Sequence, residues 1–559
     1  MKKIFLYFMP VLMLVFSSCE DFLTEEPATY IPAGNAFEKA DDALGAIAGV
    51  YALMQPLVDP LFLYGEAQGD LVVAARGADK YIAEIAQNRV TPQNPYTDYT
   101  NFYKVIIACH NAMEGLANIR KQDPVNYVQL MYELNIAEII YVRAWTYLQL
   151  VKMWEDVPYL DYDVLSIDGM HQAPPVKGET ILRSVLKDVI EYYPQISRLR
   201  LPNSASTNAV IESRAQFTQQ AANFLRCEIY LYLNDFVNAW ETIRPILPYG
   251  EGQYQNNYGI TSHLSSRYWD QKIAGITDMG ALTPEWVLYL DFDGSKGQTN
   301  NLQRWTDNTN GGIYALKPST GAIRRWETTP VYLLEYQRNF WYFDPHPPGQ
   351  LNKVSDADGN LVIGHIGDMY RGQGTSYEVS GGDTIIFKYL LKTHGVRRSV
   401  AQNDSHSRND AIFWLYRTGT FYQVVIEIMN NMGYMQSQAL ACLNGINSSD
   451  PQGTRLRACC AAFKPDESSN ESIQMQINRF ILEEMASEGA FEGVRYFDLV
   501  RFAKRPGYES WLGDIVSQKY PVEQQVAVKA RLSNRNYWHF PYYYKNVQKN
   551  PGLNQKPGY

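Results

Sequence analysis

Between residues 35 and 247, apolar side chains recur at helical spacing in segments that proline punctuates, and this alternation restricts the fold more than any other feature. The first segment opens on Asn35 with Glu38, a candidate capping box, and continues through Ala43, Ile47, Val50 and Leu53. Residues 102–119 give a second helix and 128–154 a third, with Pro158 stopping the path after it. A fourth covers 179–193 and ends at Pro194. Segments 214–233 and 236–247 make an antiparallel pair about Asn234 and Asp235, stopped by Pro245 and Pro248. Ala221, Ala222 and Ala239 are small enough for close helix packing of the tetratricopeptide kind, although no strict repeat of about 34 residues is visible.

From 250 to 400 the pattern gives way to Gly, Asn, Asp, Thr and Pro, with short candidate strands at 286–290 and 384–390. Helix is expected again at 414–429 and at 468–501, the latter interrupted near Gly489 and Gly493, and 502–559 reads as aromatic, proline-containing loops. The predicted fold is mainly α: a tetratricopeptide-like helical core carrying a large irregular loop-rich lobe. The expected organisation is a leader at 1–18, a tether at 19–32, a helical core at 33–249, the lobe at 250–410, and helices and loops at 411–559 that pack back on the core.

The leader starts with Lys2 and Lys3, continues with an apolar run to Phe16, and ends in the small residues Ser17 and Ser18. It is shorter than the roughly 17–25 apolar residues of a spanning helix, so it reads as a secretory signal. Cys19 stands where cleavage is expected. The arrangement resembles a bacterial lipoprotein signal, which implies lipidation of Cys19. Glu20, Asp21, Glu25 and Glu26 would then form a solvated acidic leash. No other apolar run is expected to reach spanning length.

The formal net charge of −9 argues against a nucleic-acid surface, which needs a basic patch. Besides Cys19 there are five unevenly spaced cysteines, Cys109, Cys227, Cys442, Cys459 and Cys460, which make no disulfide scaffold and leave room for one bridge. With 41 Tyr and 11 Trp, the chain is rich in rigid amphipathic rings suited to the apolar faces of sugars, and equally to helix packing.

The stretch EMASEGAFEGVRYFDLVR, 484–501, carries spaced glutamates, then Glu492, Gly493, Arg495, the aromatic pair Tyr496 and Phe497, and Asp498, Leu499 and Arg501. It resembles the C-terminal signature of SusD/RagB-like nutrient-binding lipoproteins. The run from Arg143 to Leu150 with Trp154, Asp156, Val157 and Pro158 is similar to that family's helix ending in a Gly-Asp-Val-Pro turn. The segment YLYLNDFVNA, Lys388 with Tyr389, Leu415 to Arg417, and the closing NPGLNQKPGY match further family features in order. Met485 and Thr418–Gly419 depart from the pattern, as does the aromatic run 542–544. Physically the signature reads as scaffold: Glu488 and Glu492 lie four apart on one helix face, and Arg495, Asp498 and Arg501 could close a partly buried ionic network.

The eight histidines form no His-Glu-x-x-His, and no Gly-x-Ser-x-Gly elbow or phosphate loop is present, so no catalytic residue, cofactor or metal is assigned. The turns at Asp291–Gly294 and Asp356–Asn360 resemble fragments of calcium loops without their full twelve-residue pattern. The resemblance implies an outer-membrane, outward-facing lipoprotein that captures an oligosaccharide or polysaccharide and passes it to a SusC-like TonB-dependent transporter. A peptide cargo, a purely structural transporter lid, and a surface glycosidase are the alternatives. Ligand contacts are chosen on chemistry, as rings beside donors and acceptors in loop-like sequence: Arg76, Tyr96, Tyr99, Asn101, Trp305 and Trp326.

Overall fold

In the computed structural model the described residues are 37–199, 215–246, 286–309, 311–328, 330–332, 351–355, 361–366, 371–374, 376–390, 409–444 and 463–559. Helix α1 (Ala40–Ala67) is a single helical run with a 3₁₀ turn at Gln55–Leu57 and a π turn at Leu63–Ala67. It starts where Asp42 accepts the backbone N–H groups of Glu38 and Lys39, at 2.9 and 2.8 Å. That carboxylate takes the place of the expected Asn35 box, and Asn35 itself lies outside the described residues. Contrary to the sequence expectation, α1 is long and apolar enough to cross a membrane by length and composition. Here its apolar side is core: Met54, Leu57, Val58, Phe62 and Leu63 are fully buried.

Helices α2 (Lys80–Ala86), α3 (Thr100–Gln122), α4 (Gln129–Trp154), α5 (Gly178–Glu191), α6 (Gln219–Tyr232) and α7 (Phe236–Ile243) follow. They pack in sequential pairs, α1 on α3, α3 on α4, α4 on α5 and α6 on α7. From Ile136 to Trp154 every residue of α4 is buried, so it is the axis about which its neighbours pack. The α6–α7 turn passes through Asn234 at φ 56°, where asparagine tolerates the left-handed region. Cys109 and Cys227 are buried free thiols, while Cys459 and Cys460 lie outside the described residues.

The lobe is more regular than expected. Strand β1 (Val72–Ala74) pairs antiparallel with β5 (Leu316–Pro318), β2 (Val157–Pro158) with β3 (Pro175–Val176), and β9 (Tyr377–Ser380) with β10 (Asp383–Ile386). Strands β6 (Pro330–Tyr332), β7 (Leu351–Ser355) and β8 (Leu361–Ile366) form a sheet in the order β6-β8-β7. Helices α8 (Leu302–Thr306) and α9 (Thr320–Thr328) precede and follow β5 in sequence and were not expected. Residues 413–417, expected to be helical from 414, are instead strand β11 (Phe413–Arg417), paired with β4 (Trp286–Leu290); helix α10 (Thr418–Asn431) begins only after it. The last quarter holds α11 (Gln436–Asn444), α12 (Ile473–Glu488), α13 (Arg495–Ala503), α14 (Trp511–Val516), α15 (Val522–Leu532) and α16 (Tyr544–Lys549), where loops had been expected after 502.

The signature turn between α12 and α13 joins the two ends of the chain. Glu66, fully buried in the π turn of α1, accepts the backbone N–H groups of Phe491 and Gly493, at 2.9 and 3.0 Å. The backbones approach so closely that a Cβ on Gly65 would lie 1.8 Å from the Gly493 carbonyl, and Gly493 itself sits at φ 75°. Arg417 bridges Glu488 and Glu492, each at 2.9 Å, and Lys388 binds Glu492 and the Ala490 carbonyl. Burial alone would raise the Glu492 carboxyl, but Arg417 and Lys388 overcome it and hold it below its ordinary value. Glu488 ends its helix and Glu492 lies in the turn, so a shared arginine brings them together rather than a shared helix face. The expected single network is two centres: Arg495 forks onto Asp70 at 2.6 and 3.1 Å, whereas Arg501 binds Asp498 and Glu427.

Helix α4 ends at a backbone outlier. Glu155 sits at φ 63°, ψ −77°, and the Asp156 N–H donates to the Trp154 carbonyl at 2.9 Å, which is the rarer, positive-φ γ-turn. The Glu155 side chain reaches Lys504 at 3.1 Å.

Three outcomes follow. Arg417→Met removes the shared partner of two buried carboxylates, leaving Lys388 on Glu492 and Arg371 on Glu488, and should cost about 3 kcal/mol in denaturant unfolding. Burial pushes the Glu66 carboxyl from 4.5 to about 8, against its two backbone bonds and Lys388. The stability this group contributes is therefore whole below its ordinary value and is lost as pH rises through about 8. Glu66→Gln should match wild type in acid and exceed it by a few kcal/mol in urea melts above pH 8. Glu155→Gly relieves the turn at the cost of an exposed ion pair and should raise unfolding stability by about 1 kcal/mol.

Candidate functional site

A candidate functional surface gathers around α8. The turn after β1 places Arg76 over the Tyr314 ring, with the guanidinium carbon 4.7 Å from the ring centroid, and its Nη1 donates to Asp383 at 2.5 Å. Backbone bonds fix this register: the Ala75 N–H donates to the Ala315 carbonyl and the Gly77 N–H to that of Tyr314, at 2.8 and 3.0 Å. Asn308 donates to Asp383 and to the Ser380 carbonyl, at 3.1 and 2.8 Å, and the Tyr314 hydroxyl donates to the Thr384 carbonyl at 2.7 Å. Hydrogen bonds from Arg76 and Asn308 hold the Asp383 carboxyl below its ordinary value. Burial raises the Tyr314 hydroxyl, Asp383 adds to the rise and Arg76 opposes it.

On the other flank of α8, half-buried Tyr96 meets Trp305 edge-on with ring centroids 6.1 Å apart. Burial, then Asp59 and Asp79, push the Tyr96 hydroxyl up to about 12, with Arg304 opposing. Asp59 accepts from the backbone and side chain of Asn301 at 3.0 and 2.6 Å. Ile313 donates its N–H to the Arg304 carbonyl and Ala315 to that of Trp305, so the Tyr314 segment ties the two flanks into one surface. Its groups are ring edges, hydroxyls, amides and a fixed guanidinium, which can stack on and hydrogen-bond a polar ligand.

Two of the residues chosen from sequence, Arg76 and Tyr96, share this surface. Trp305 lies beneath it rather than on it, 2 % exposed and facing Phe62 across 6.3 Å. Trp326 is 1 % exposed, stacked on Tyr377 at 5.8 Å, with Arg325 turned to Asp70 and Glu483 and Glu327 accepting from the Tyr377 hydroxyl. Tyr99 is buried among Tyr103, Trp154 and Tyr542. These three rings belong to the core, not to an open platform: Trp305 is buried together with its polar neighbours Gln303 and Asp307, and Arg325 beside Trp326 turns inward to Asp70. Asn101 is exposed, and its side chain accepts from Lys104 one turn along α3. Cys19 lies outside the described residues.

Asp383 and Tyr314 were missed, because nothing local in sequence announces a contact between Arg76 and a hairpin some three hundred residues away. A cavity of about 120 Å³ between α4, α6, β11 and α13 is lined by Trp145, Lys152, Glu228, Trp414, Glu492 and Arg501. At that volume it falls below the roughly 300 Å³ at which small-molecule sites begin. Among the described residues no group of His, Cys, Asp and Glu could hold a metal ion. In the turn at 291–294, Asp293 is engaged with Ser295 and Lys296, and residues 356–360 lie outside the described residues.

The family model described as the SusD family matches residues 365–559. The SusD-like protein P38 of Formosa agariphila is 22% identical over 569 residues, covering 100% of this chain and 99% of that protein. A SusD superfamily protein of Bacteroides thetaiotaomicron superposes with a TM-score of 0.63 at 16% identity, over 93% of this chain and 99% of its own. Surface glycan-binding protein A of Bacteroides fluxus superposes with a TM-score of 0.60 at 15% identity, over 93% and 100%. With the signature turn built as described, residues 365–559 match the SusD family, and the chain shares the mainly α-helical fold with irregular loops of the SusD superfamily structures.

Proposed function

We propose that the chain is a cell-surface nutrient-binding lipoprotein that captures an oligosaccharide or polysaccharide and delivers it to a SusC-like TonB-dependent outer-membrane transporter. The observation that carries this reading is the surface around α8, where Arg76, Tyr96, Asn308 and Asp383 present fixed donors, acceptors and a ring edge outside the helical body, with buried Tyr314 supporting Arg76 from below. Similarity to a surface glycan-binding protein supports the cargo class. The leader and Cys19 support a lipid anchor in the outer membrane facing the exterior, with the acidic tether as leash. The sequential helix pairs support a tetratricopeptide-like core carrying the lobe at 250–410. Capture needs no bond chemistry: affinity comes from stacking and hydrogen bonds.

The test is a glycan screen with peptides as controls, run on the chain without its leader. Binding of one glycan class is expected, weakened about tenfold by Tyr96→Ala and by Asn308→Ala, a loss matching one ring contact or hydrogen bond. Peptide-only binding would move the cargo to the RagB-like alternative, and turnover of a bound glycan would reinstate the glycosidase.

A further inference from the structure

We propose that the surface around α8 is built for an acidic oligosaccharide, one carrying uronate carboxylates or sulfate esters. The inference rests on the glycan-capture reading and adds the class of sugar. Its first support is sidedness. The chain has a net charge of −9, yet the groups this surface turns outward are mainly cations. Arg76 is 61% exposed and Lys80 72%, Arg304 is exposed, and Lys317 is half-buried near Asp383. The neighbouring carboxylates are turned inward or tied down. Asp59 is held by Asn301, Glu84 accepts from Thr91 and Asn94, Asp307 accepts from Thr309, and Asp79 caps α2 through the N–H groups of Tyr81 and Ile82. The cations face solvent, while the carboxylates, exposed Asp79 and partly exposed Asp383 among them, are each engaged by a hydrogen bond or ion pair of the fold.

The second support is the geometry of Arg76. Asp383 fixes one guanidinium nitrogen and the Tyr314 ring supports its plane, so the side chain is ordered while most of it stays open. A planar fork already held in place suits the two oxygens of a carboxylate or sulfate, because little rotamer freedom is left to lose on binding. Asp383 shares its charge between Arg76 and Asn308, which limits its repulsion of an incoming anion. The third support is uncommitted charge: Arg304 and Lys317 make no ion pair among the described residues. Between the cations, Tyr96 keeps its proton at neutral pH and offers a hydroxyl donor.

The experiment uses the full chain in detergent against an array of neutral, uronate and sulfated oligosaccharides, with poly-glutamate as the acidic peptide control. Anionic sugars should bind, and binding should weaken several-fold between about 50 and about 500 mM salt, where screening shortens from roughly 14 to 4 Å. Arg304→Ala and Arg76→Ala should each lose about tenfold, the size of one charge-assisted bond. Arg76→Lys, which keeps the charge but not the fork, should recover only part of that loss. Arg304→Ala should leave the thermal midpoint unchanged, since Arg304 has no ion pair to lose among the described residues. Binding confined to the uronate set assigns a carboxylate and binding confined to the sulfated set a sulfate ester; either supports the proposal. Binding of neutral sugars with no preference for anionic ones overturns the acidic class and leaves glycan capture standing. Silence across all sugars overturns both, equal binding of poly-glutamate overturns the sugar class, and anionic binding indifferent to both arginines overturns the site.

Discussion

The structure depends on one buried junction, where a turn near the end of the chain is held by acids and bases from its beginning and middle. Glu66 and Asp70 come from the first eighth of the sequence, Lys388 and Arg417 from the lobe and the strand after it, and Glu488, Glu492 and Arg495 from the signature. The ionised members are costly to bury, and each is tolerated only because its partners are present, whereas Glu66 keeps its proton near neutral pH. The junction therefore acts as a conditional lock: it is favourable once all three regions have arrived and unfavourable before. It also explains the positions of Gly65 and Gly493, since the carboxylate of Glu66 reaches the turn only if the two backbones touch.

The surface around α8 inherits its shape from that lock. Asp70 pairs with Arg495 and Arg325, and its carbonyl accepts from the Ser319 hydroxyl at 2.7 Å. The same short segment carries β1 and Arg76 on one side and receives β5 on the other. The position of Arg76 over Tyr314 is thus set from below by a buried ion pair and from the side by strand register. A binding surface made of short irregular elements is kept in order by charge pairs in the core.

Much of the fold was legible because helical periodicity is local. The runs at 102–119 and 128–154 lie within α3 and within one residue of α4, and the alternation of glutamates and arginines after 484 correctly announced buried ion pairs. What sequence withheld was partnership. Nothing near Arg501 names Glu427, and nothing near Arg495 names Asp70. Residues 413–417 read as the start of a helix because an apolar run has no period of its own; only pairing with β4 makes them a strand. The site was half legible for the same reason. Arg76 and Tyr96 lie at the surface around α8, while Trp305 and Trp326 are buried, because polar neighbours in sequence say nothing about which way a ring turns.

Helix α1 carries a consequence outside the folded state. On any route that takes the unfolded chain past a lipid bilayer, a segment of this length and composition is a candidate for lateral insertion. A carboxylate placed centrally in such a segment opposes insertion by about 2.5–3.5 kcal/mol. Asp59 and Glu66, whose carboxyls burial raises in the finished protein, would be ionised in the extended chain. Asp59, inside the segment rather than at its last turn like Glu66, would thus help the chain pass a membrane rather than stay in it, so its place in α1 bears on biogenesis as well as on stability.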